Sequence, residues 1–338
     1  MRPVQNRENT IGTVKVKVVG TGSYVPETIL TNYDLEQRLE TSNKWIVERT
    51  GVQMRRIAAK DEATSDLALK AAERALQAAG ISADQLDLII VATTTPDMLF
   101  PSTACLVQHR LHATRAAAFD LAAACSGFVY ALSVGEQFIL TGTFQKVLVI
   151  GADLLSRFVD WTDRSTAVLF GDGAGAVVLA ASHGDAGIVS HHLYSDGSLS
   201  HLIAIPGGGS ANPPSEKALI ERLNTVKMQG SETFKSAVRA MEDVARETLQ
   251  KNRLTPADIS YIVPHQANIR IIKALAARLE IDMDRIVINL DRYGNTSAAS
   301  IPIALDEAVR DGRITKGALI LLLAFGSGLT WGSALIRW

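Results

Sequence analysis

The sequence predicts a layered α/β protein built from two similar halves, and three observations carry that reading. Apolar runs rich in valine and isoleucine alternate with helical patterns. One stretch of that pattern recurs later in the chain. The 338 residues are 47% hydrophobic and 20% charged, enough to bury a core and too long for one comfortable unit. Runs this uniformly apolar suit sheets covered on both faces, so largely parallel strands are expected.

In order along the chain, buried strands are expected at 14–19, 86–91, 117–121, 147–150 and 176–179. Helices are expected at 64–79, 103–111 and 126–140. The stretch 75–90 then lies without gaps on 248–263, each reading as helix end, capped turn and strand. The same spacing carries the segment at Cys125 close to Asn295-Thr296-Ser297. A second echo sets Phe170-Gly-Asp-Gly against Phe325-Gly-Ser-Gly. The halves are placed at 14–183 and 184–338, with the site between them, where pockets form. Residues 205–229, with Pro206, three glycines and Pro213-Pro214, read as a surface excursion.

Composition narrows the function classes. A net charge of -1 gives no global pull toward nucleic acid or anionic membranes. Two cysteines, Cys105 and Cys125, form neither a disulfide framework nor a zinc site, which favours a reducing compartment. Residues 1–10 are polar and lack the apolar core of a signal peptide, and the longest apolar stretch is too short to span a bilayer. A cytoplasmic protein is expected, binding neither membrane nor nucleic acid.

Three polar residues stand at strand-to-helix corners. Cys125 lies in Asp120-Leu-Ala-Ala-Ala-Cys-Ser-Gly-Phe, where a strand ends, small residues turn and a helix begins. A helix start favours thiolate and lowers the thiol pKa. A free cysteine is also commonly core, and the local pattern leaves both readings open. Cys105 has no such turn and is read as core. His265, in Tyr261-Ile-Val-Pro-His-Gln-Ala-Asn, emerges at a strand's C-terminal edge, where α/β folds place ligands. The other histidines are read in helices or polar loops. Asn295, in Tyr293-Gly-Asn-Thr-Ser, follows a glycine turn and is otherwise an ordinary turn asparagine. Together they offer one nucleophile and two neutral hydrogen-bond donors. The loop Phe325-Gly-Ser-Gly-Leu-Thr-Trp-Gly, with Ser327 and Gly328, can face backbone N–H groups toward an oxyanion. It lacks the Lys-Ser/Thr of a phosphate loop.

These residues resemble a known family, β-ketoacyl-[acyl carrier protein] synthase III, the initiating condensing enzymes of type II fatty acid synthesis. The resemblance runs from about residue 16 to 338. It is carried by Gly20-Thr-Gly-Ser-Tyr-Val-Pro, Trp45-Ile-Val-Glu-Arg-Thr-Gly, the Cys125 segment, Phe170-Gly-Asp-Gly-Ala-Gly-Ala, Pro264-His-Gln-Ala-Asn, Gly294-Asn-Thr-Ser-Ala-Ala-Ser and the terminal glycine loop. It implies the thiolase-like duplicated fold, α/β/α/β/α in five layers, and a homodimer. It implies that a short acyl-CoA, with acetyl-CoA the expected primer, acylates Cys125, and that His265 and Asn295 then bind the carbonyl of malonyl-acyl carrier protein. CoA is a substrate, and no cofactor or metal is implied. Thr41, Trp45, Arg49 and Arg164 match residues at the CoA adenine and phosphates. Phe234 and Asn268 match the pantetheine channel. Phe100 matches a side chain that caps the acyl pocket of the neighbouring subunit. Lys235, Gln266, Arg270 and Lys273 match a surface for the acidic carrier, which Arg278 extends along a stripe without acids.

Three other readings remain at this point. A related condensing enzyme of secondary metabolism would keep the same three residues. A papain-like protease shares the order Cys, His, Asn but not the Cys-Gly-Ser-Cys-Trp context. A non-enzymatic acyl-binding scaffold has no use for three polar groups at one edge.

Overall fold

The computed structural model describes residues 14–338, so the polar segment 1–10 lies outside them. The first sheet contains β1 (Lys15–Tyr24), β2 (Leu88–Ala92), β3 (Ala117–Leu121), β4 (Lys146–Leu154) and β5 (Asp172–Ser182) in the order β1-β5-β4-β2-β3. Its helices are α1 (Thr64–Ala79), α2 (Thr103–Arg110) and α3 (Gly127–Leu140). The second sheet contains β6 (Gly187–Ser195), β7 (Tyr261–Pro264), β8 (Leu319–Gly326) and β9 (Thr330–Arg337) in the order β7-β8-β9-β6. Its helices are α4 (Gly230–Lys251), α5 (Ile269–Leu279) and α6 (Ser300–Arg310).

The two sheets match pair by pair. β2–β4 and β7–β8 are parallel, while β4–β5, β5–β1, β8–β9 and β9–β6 are antiparallel. The parallel neighbour β3 has its counterpart in a single parallel bridge from Ile262 to Ile286. The capped turns recur too: Ser82–Gln85 and Thr255–Asp258 each form a capping box before a 3-10 turn.

The sheets are therefore mixed, where largely parallel strands were expected. Every residue of β2 and of β8 is buried. A strand covered on both faces shows an unbroken apolar run in either pairing sense, so the pattern carries no direction.

Helices α3 and α6 lie between the sheets. Phe128, Val129 and Leu132 share one core with Ile301, Ala304 and Leu305, with Val149 and Val177 of the first sheet, and with Leu322 and Ala334 of the second. Helix α1 covers the first sheet's outer face through Leu67, Ala71 and Ala75. Helices α4 and α5 cover the second through Met241, Ala245, Ile272 and Leu275. Five layers result, helix-sheet-helix-sheet-helix, with the corners before α3 and α6 brought face to face. Being packed on both sides, α3 even buries Glu136, which pairs with His191 at 2.8 Å. His191 and His192 thus stand on β6 rather than in a helix or loop. Among the described residues no helix is long and apolar enough to cross a membrane.

Candidate active site

The chain leaves β3 at Leu121, makes a 3-10 turn over Ala124–Ser126 and enters α3 at Gly127. Ala124 holds φ at 47°, left-handed backbone that costs a side-chain-bearing residue about 1–2 kcal/mol. That turn sets Cys125 against the glycine loop after β8. A Cβ on Gly326 would stand 2.7 Å from the Cys125 nitrogen, so only glycine allows this approach. Thr330 Oγ1 reaches the carbonyls of Ala123 (2.9 Å) and Ser327 (3.0 Å), and Ser126 Oγ donates to Thr330 O at 3.0 Å. Ser327 Oγ donates to Ile203 O at 2.5 Å, which ties the Ser327 side chain to the Ile203 backbone.

Cys125 opens into a cavity of about 190 Å³ lined by Thr94, Leu155, Phe170, Ile203, Ile205, Val226, Ser297 and Ser327. Ile205 and Val226 belong to the segment expected as a surface excursion. Its middle, 208–217, is exposed as expected, but its base, where Lys227–Met228 pairs with Ile203–Ala204 as short strands, walls the cavity. The thiol is not lowered as expected. Burial pushes it up to about 12, with a Ser297 hydrogen bond opposing and the Asp153 charge adding to the rise. Desolvating a thiolate here outweighs the helix start. Cys105, expected in the core, is exposed.

His265 follows β7, its backbone N–H donating to Leu323 O at 2.8 Å. The ring is buried, and burial drives its pKa down to about 3, so the imidazole is neutral. Its Nδ1 lies 2.7 Å from Ser300 Oγ at the start of α6.

Asn295 bridges Phe170 in parallel fashion, donating its N–H to Leu169 O at 2.8 Å and accepting from Gly171 N at 3.0 Å. Its Oδ1 accepts from Ser297 N at 2.9 Å, which orients the amide and leaves Nδ2 to donate elsewhere. Below, the buried Arg55 guanidinium donates to Val168 O and Asn32 Oδ1 at 2.9 Å each. The turn Ser297–Ala299 thus gathers the site: Ser297 lines the cavity beside Cys125 and fixes Asn295, while Ser300, next along, meets His265. His265 and Asn295 are not among the residues lining the cavity itself.

Known proteins match this arrangement along nearly the whole chain. Residues 119–197 match the model of 3-oxoacyl-[acyl-carrier-protein] synthase III, and 249–338 match its C-terminal model. The β-ketoacyl-[acyl-carrier-protein] synthase III of Caldanaerobacter subterraneus is 53% identical over 95% of this chain and 97% of its own. That of Xylella fastidiosa is 54% identical over 95% and 98%. The crystal structure of the Aquifex aeolicus enzyme superposes with a TM-score of 0.89 at 50% identity, covering 96% of this chain and 100% of that one. This chain belongs to the 3-oxoacyl-[acyl-carrier-protein] synthase III family.

Most of the positions that the synthase III resemblance marked for CoA converge on one rim. Arg164 and Arg49 lie over the Trp45 ring at 4.8 and 5.9 Å, and Arg164 donates to Glu40 O beside Thr41 at 2.7 Å. Asn268 caps α5 by accepting from Arg270 N, and its amide donates to Arg49 O at 3.0 Å. Arg270 in turn covers the Phe234 ring at 5.6 Å. Phe100 is 83% exposed and lines no part of the Cys125 cavity of its own chain.

The surface marked for the carrier needs two corrections. Gln266 is buried, donating to Pro264 O (2.8 Å) and Val287 O (3.0 Å) and accepting from Asn289 N (3.1 Å), so it braces the His265 corner and cannot meet a partner protein. The basic stripe is partly neutralised, because Arg278 pairs with Glu242 at 2.6 Å and Lys235 with Glu232 at 3.0 Å. Glu242 comes from α4 and Arg278 from α5, so spacing along the stripe's own helix does not show that pair, whereas Glu232 lies three residues before Lys235 on α4 itself. Arg270 and Lys273 keep no carboxylate partner among the described residues.

Sequence reading missed Asp153, Ser297 and Ser300. Asp153, fully buried at the end of β4, accepts from Thr93 Oγ1, Thr94 N and Ala298 N and so locks the two corners together. An aspartate inside the run Val-Leu-Val-Ile-Gly-Ala-Asp was the available signal.

Proposed function

We propose that this chain initiates fatty acid synthesis by decarboxylative condensation of a short acyl-CoA with malonyl-acyl carrier protein. One observation carries the reading: a single turn, Ser297–Ala299 with Ser300, borders the cavity that holds Cys125, orients the Asn295 amide and meets the His265 imidazole. The Cys125 sulfur attacks the acyl-CoA carbonyl, its proton leaves with CoA, and the C–S bond to CoA breaks. Because the resting thiol is held protonated, proton loss belongs to this step. The backbone N–H of Cys125 and the loop at Ser327 and Gly328 hold the tetrahedral oxyanion, each donor worth about 3–4 kcal/mol. Since the Ser327 hydroxyl is spent on Ile203, the loop's contribution is backbone.

His265 and Asn295 then donate to the malonyl thioester carbonyl. A neutral imidazole and an oriented amide stabilise the enolate formed as CO₂ departs. The enolate carbon attacks acyl-Cys125, a C–C bond forms, the C–S bond breaks, and the departing thiolate takes a proton from water to restore the resting thiol. The thioester and the lost carboxylate supply the driving force, so the reading calls on no metal or redox cofactor. The rim of Trp45, Arg49, Arg164 and Thr41 holds the CoA nucleotide, with Phe234 and Asn268 along the pantetheine. Arg270 and Lys273 steer the acidic carrier, with Lys235 tempered by Glu232 beside them. A cytoplasmic homodimer in which Phe100 closes the partner's acyl cavity completes the proposal.

Purified protein given acetyl-CoA and malonyl-acyl carrier protein is expected to release CO₂ and form acetoacetyl-acyl carrier protein. No product from a donor that a known synthase accepts would overturn the assignment.

A further inference from the structure

We infer that Ser300 is a positioning residue that fixes the His265 tautomer, with the proton on Nε2. The inference deepens the reading of His265 as a carbonyl donor and rests on it. The argument is an accounting of protons at one buried oxygen. Ser300 Oγ lies 2.7 Å from His265 Nδ1 and 3.4 Å from the backbone nitrogen of Gln266. All three residues are buried. The Gln266 N–H is a donor and nothing else, so the hydroxyl oxygen accepts there. Its own hydrogen then has one acceptor in reach, Nδ1, which must be bare.

The other tautomer fails the same count. With the proton on Nδ1, two N–H groups would aim at one oxygen, and the hydroxyl hydrogen would be buried without an acceptor. A buried unsatisfied polar group costs more than a hydrogen bond gains. The chain Gln266 N–H to Ser300 O–H to Nδ1 therefore leaves the neutral ring protonated on Nε2. Nε2 makes no hydrogen bond among the described residues and is not wholly buried, so its N–H is free to meet a ligand. Burial keeps the ring from taking a second proton, so it donates without carrying charge.

The placement of Ser300 is itself built. It is the first residue of α6, one step beyond the turn that carries Ser297, and Gln266 is pinned by three bonds of its own. The hydroxyl thus cannot swing away without abandoning the Gln266 N–H.

The test reads tautomer and kinetics separately. Nitrogen-15 NMR of protein labelled in its histidine rings, at pH 7, is expected to show His265 neutral with the proton on Nε2. Ser300→Ala is expected to disturb that signature and slow condensation about tenfold or more. Acylation of Cys125 by acetyl-CoA should stay within about twofold. Ser300→Thr, which keeps the hydroxyl, should restore both the tautomer and most of the rate. A wild-type ring protonated on Nδ1 overturns the inference, as does a Ser300→Ala protein that slows acylation and condensation equally. The NMR result needs no turnover, so a wild-type protein that shows the Nε2 tautomer but makes no condensation product fails the functional reading alone.

Discussion

The turn that carries Cys125 and the turn that carries Ser297 are the same piece of backbone used twice. The offset that lays Ala75 on Thr248 also lays Ala124 on Ser297 and Gly127 on Ser300. Ala124 has φ 47° and Ser297 φ 52°, each opening a 3-10 turn that feeds a helix between the sheets. Each turn is met by a glycine from the opposite sheet: Gly326 of β8 against Cys125 N, and Gly151 of β4 against the Ala298 carbonyl. Yet the residue matching Cys125 is Ala298, which is 1% exposed and does not line the Cys125 cavity. One turn presents a nucleophile, and the other turns its polar groups inward to hold Asp153, Asn295 and His265. Duplication supplies the geometry, and a few side chains divide the labour.

The comparison can be broken outright by moving the thiol. Cys125→Ala is expected to abolish acyl transfer, a loss of at least about 10³-fold, because no other group replaces the nucleophile. Adding Ala298→Cys should not restore it, since that site is packed shut. Acyl incorporation from labelled acetyl-CoA reads both, and uptake by the double variant would show that the turns are interchangeable.

The two glycine contacts separate reaction from support. Gly326→Ala forces the loop away from Cys125 N and should slow acylation about 10²-fold, the scale of losing an oxyanion donor. Gly151→Ala, pressed against the Ala298 carbonyl, should lower Tm by at least as much as Gly326→Ala does. Equal acylation rates in the two variants would remove the distinction.

The second region also leaves a mark on acid stability. His265 is held at about 3 in the folded chain against 6.5 ordinarily, so only the unfolded chain gains this proton as pH falls. The stability it contributes is complete above pH 6.5 and is lost as pH drops toward 3, at up to about 1.4 kcal/mol per unit. Tm between pH 7 and pH 4 should therefore fall less steeply in His265→Gln than in the wild type. Equal slopes would mean the ring is not buried neutral. The smallest effect is expected from Ser327→Gly, whose hydroxyl only ties the loop to Ile203. Acylation should change by a few-fold at most.

Much of this was legible beforehand, and the reasons are specific. The two similar α/β halves follow from hydrophobic phase and from a repeat whose capped turns, Ser82–Gln85 and Thr255–Asp258, hold the same register, while the five layers were implied by the synthase III resemblance. Cys125 and His265 announced themselves because each follows an apolar run at a strand end, whereas Asn295 follows a short helix, Leu290–Tyr293, where a strand end was expected, and only its glycine turn marked it. What stayed hidden depends on contacts across the chain. Burial raises the Cys125 pKa, and the cavity around it has walls from Leu155, Phe170 and Val226, which no local window contains. Gln266 looked like a surface glutamine until Val287 and Asn289 closed over it. Glu242 lies on a different helix from Arg278, the end of the basic stripe that it tempers. Strand direction was unreadable because covered strands look alike either way.

The division of labour itself can be read by intact-protein mass spectrometry. Wild type, Cys125→Ala and Asn295→Ala are each incubated with acetyl-CoA, then chased with malonyl-acyl carrier protein. One acetyl group is expected on wild type and on Asn295→Ala, and none on Cys125→Ala. The chase should clear the wild-type acetyl while Asn295→Ala keeps its own, with condensation slowed about 10²-fold. An acetyl group on Cys125→Ala, or an Asn295→Ala protein that fails to take one up, would contradict the account.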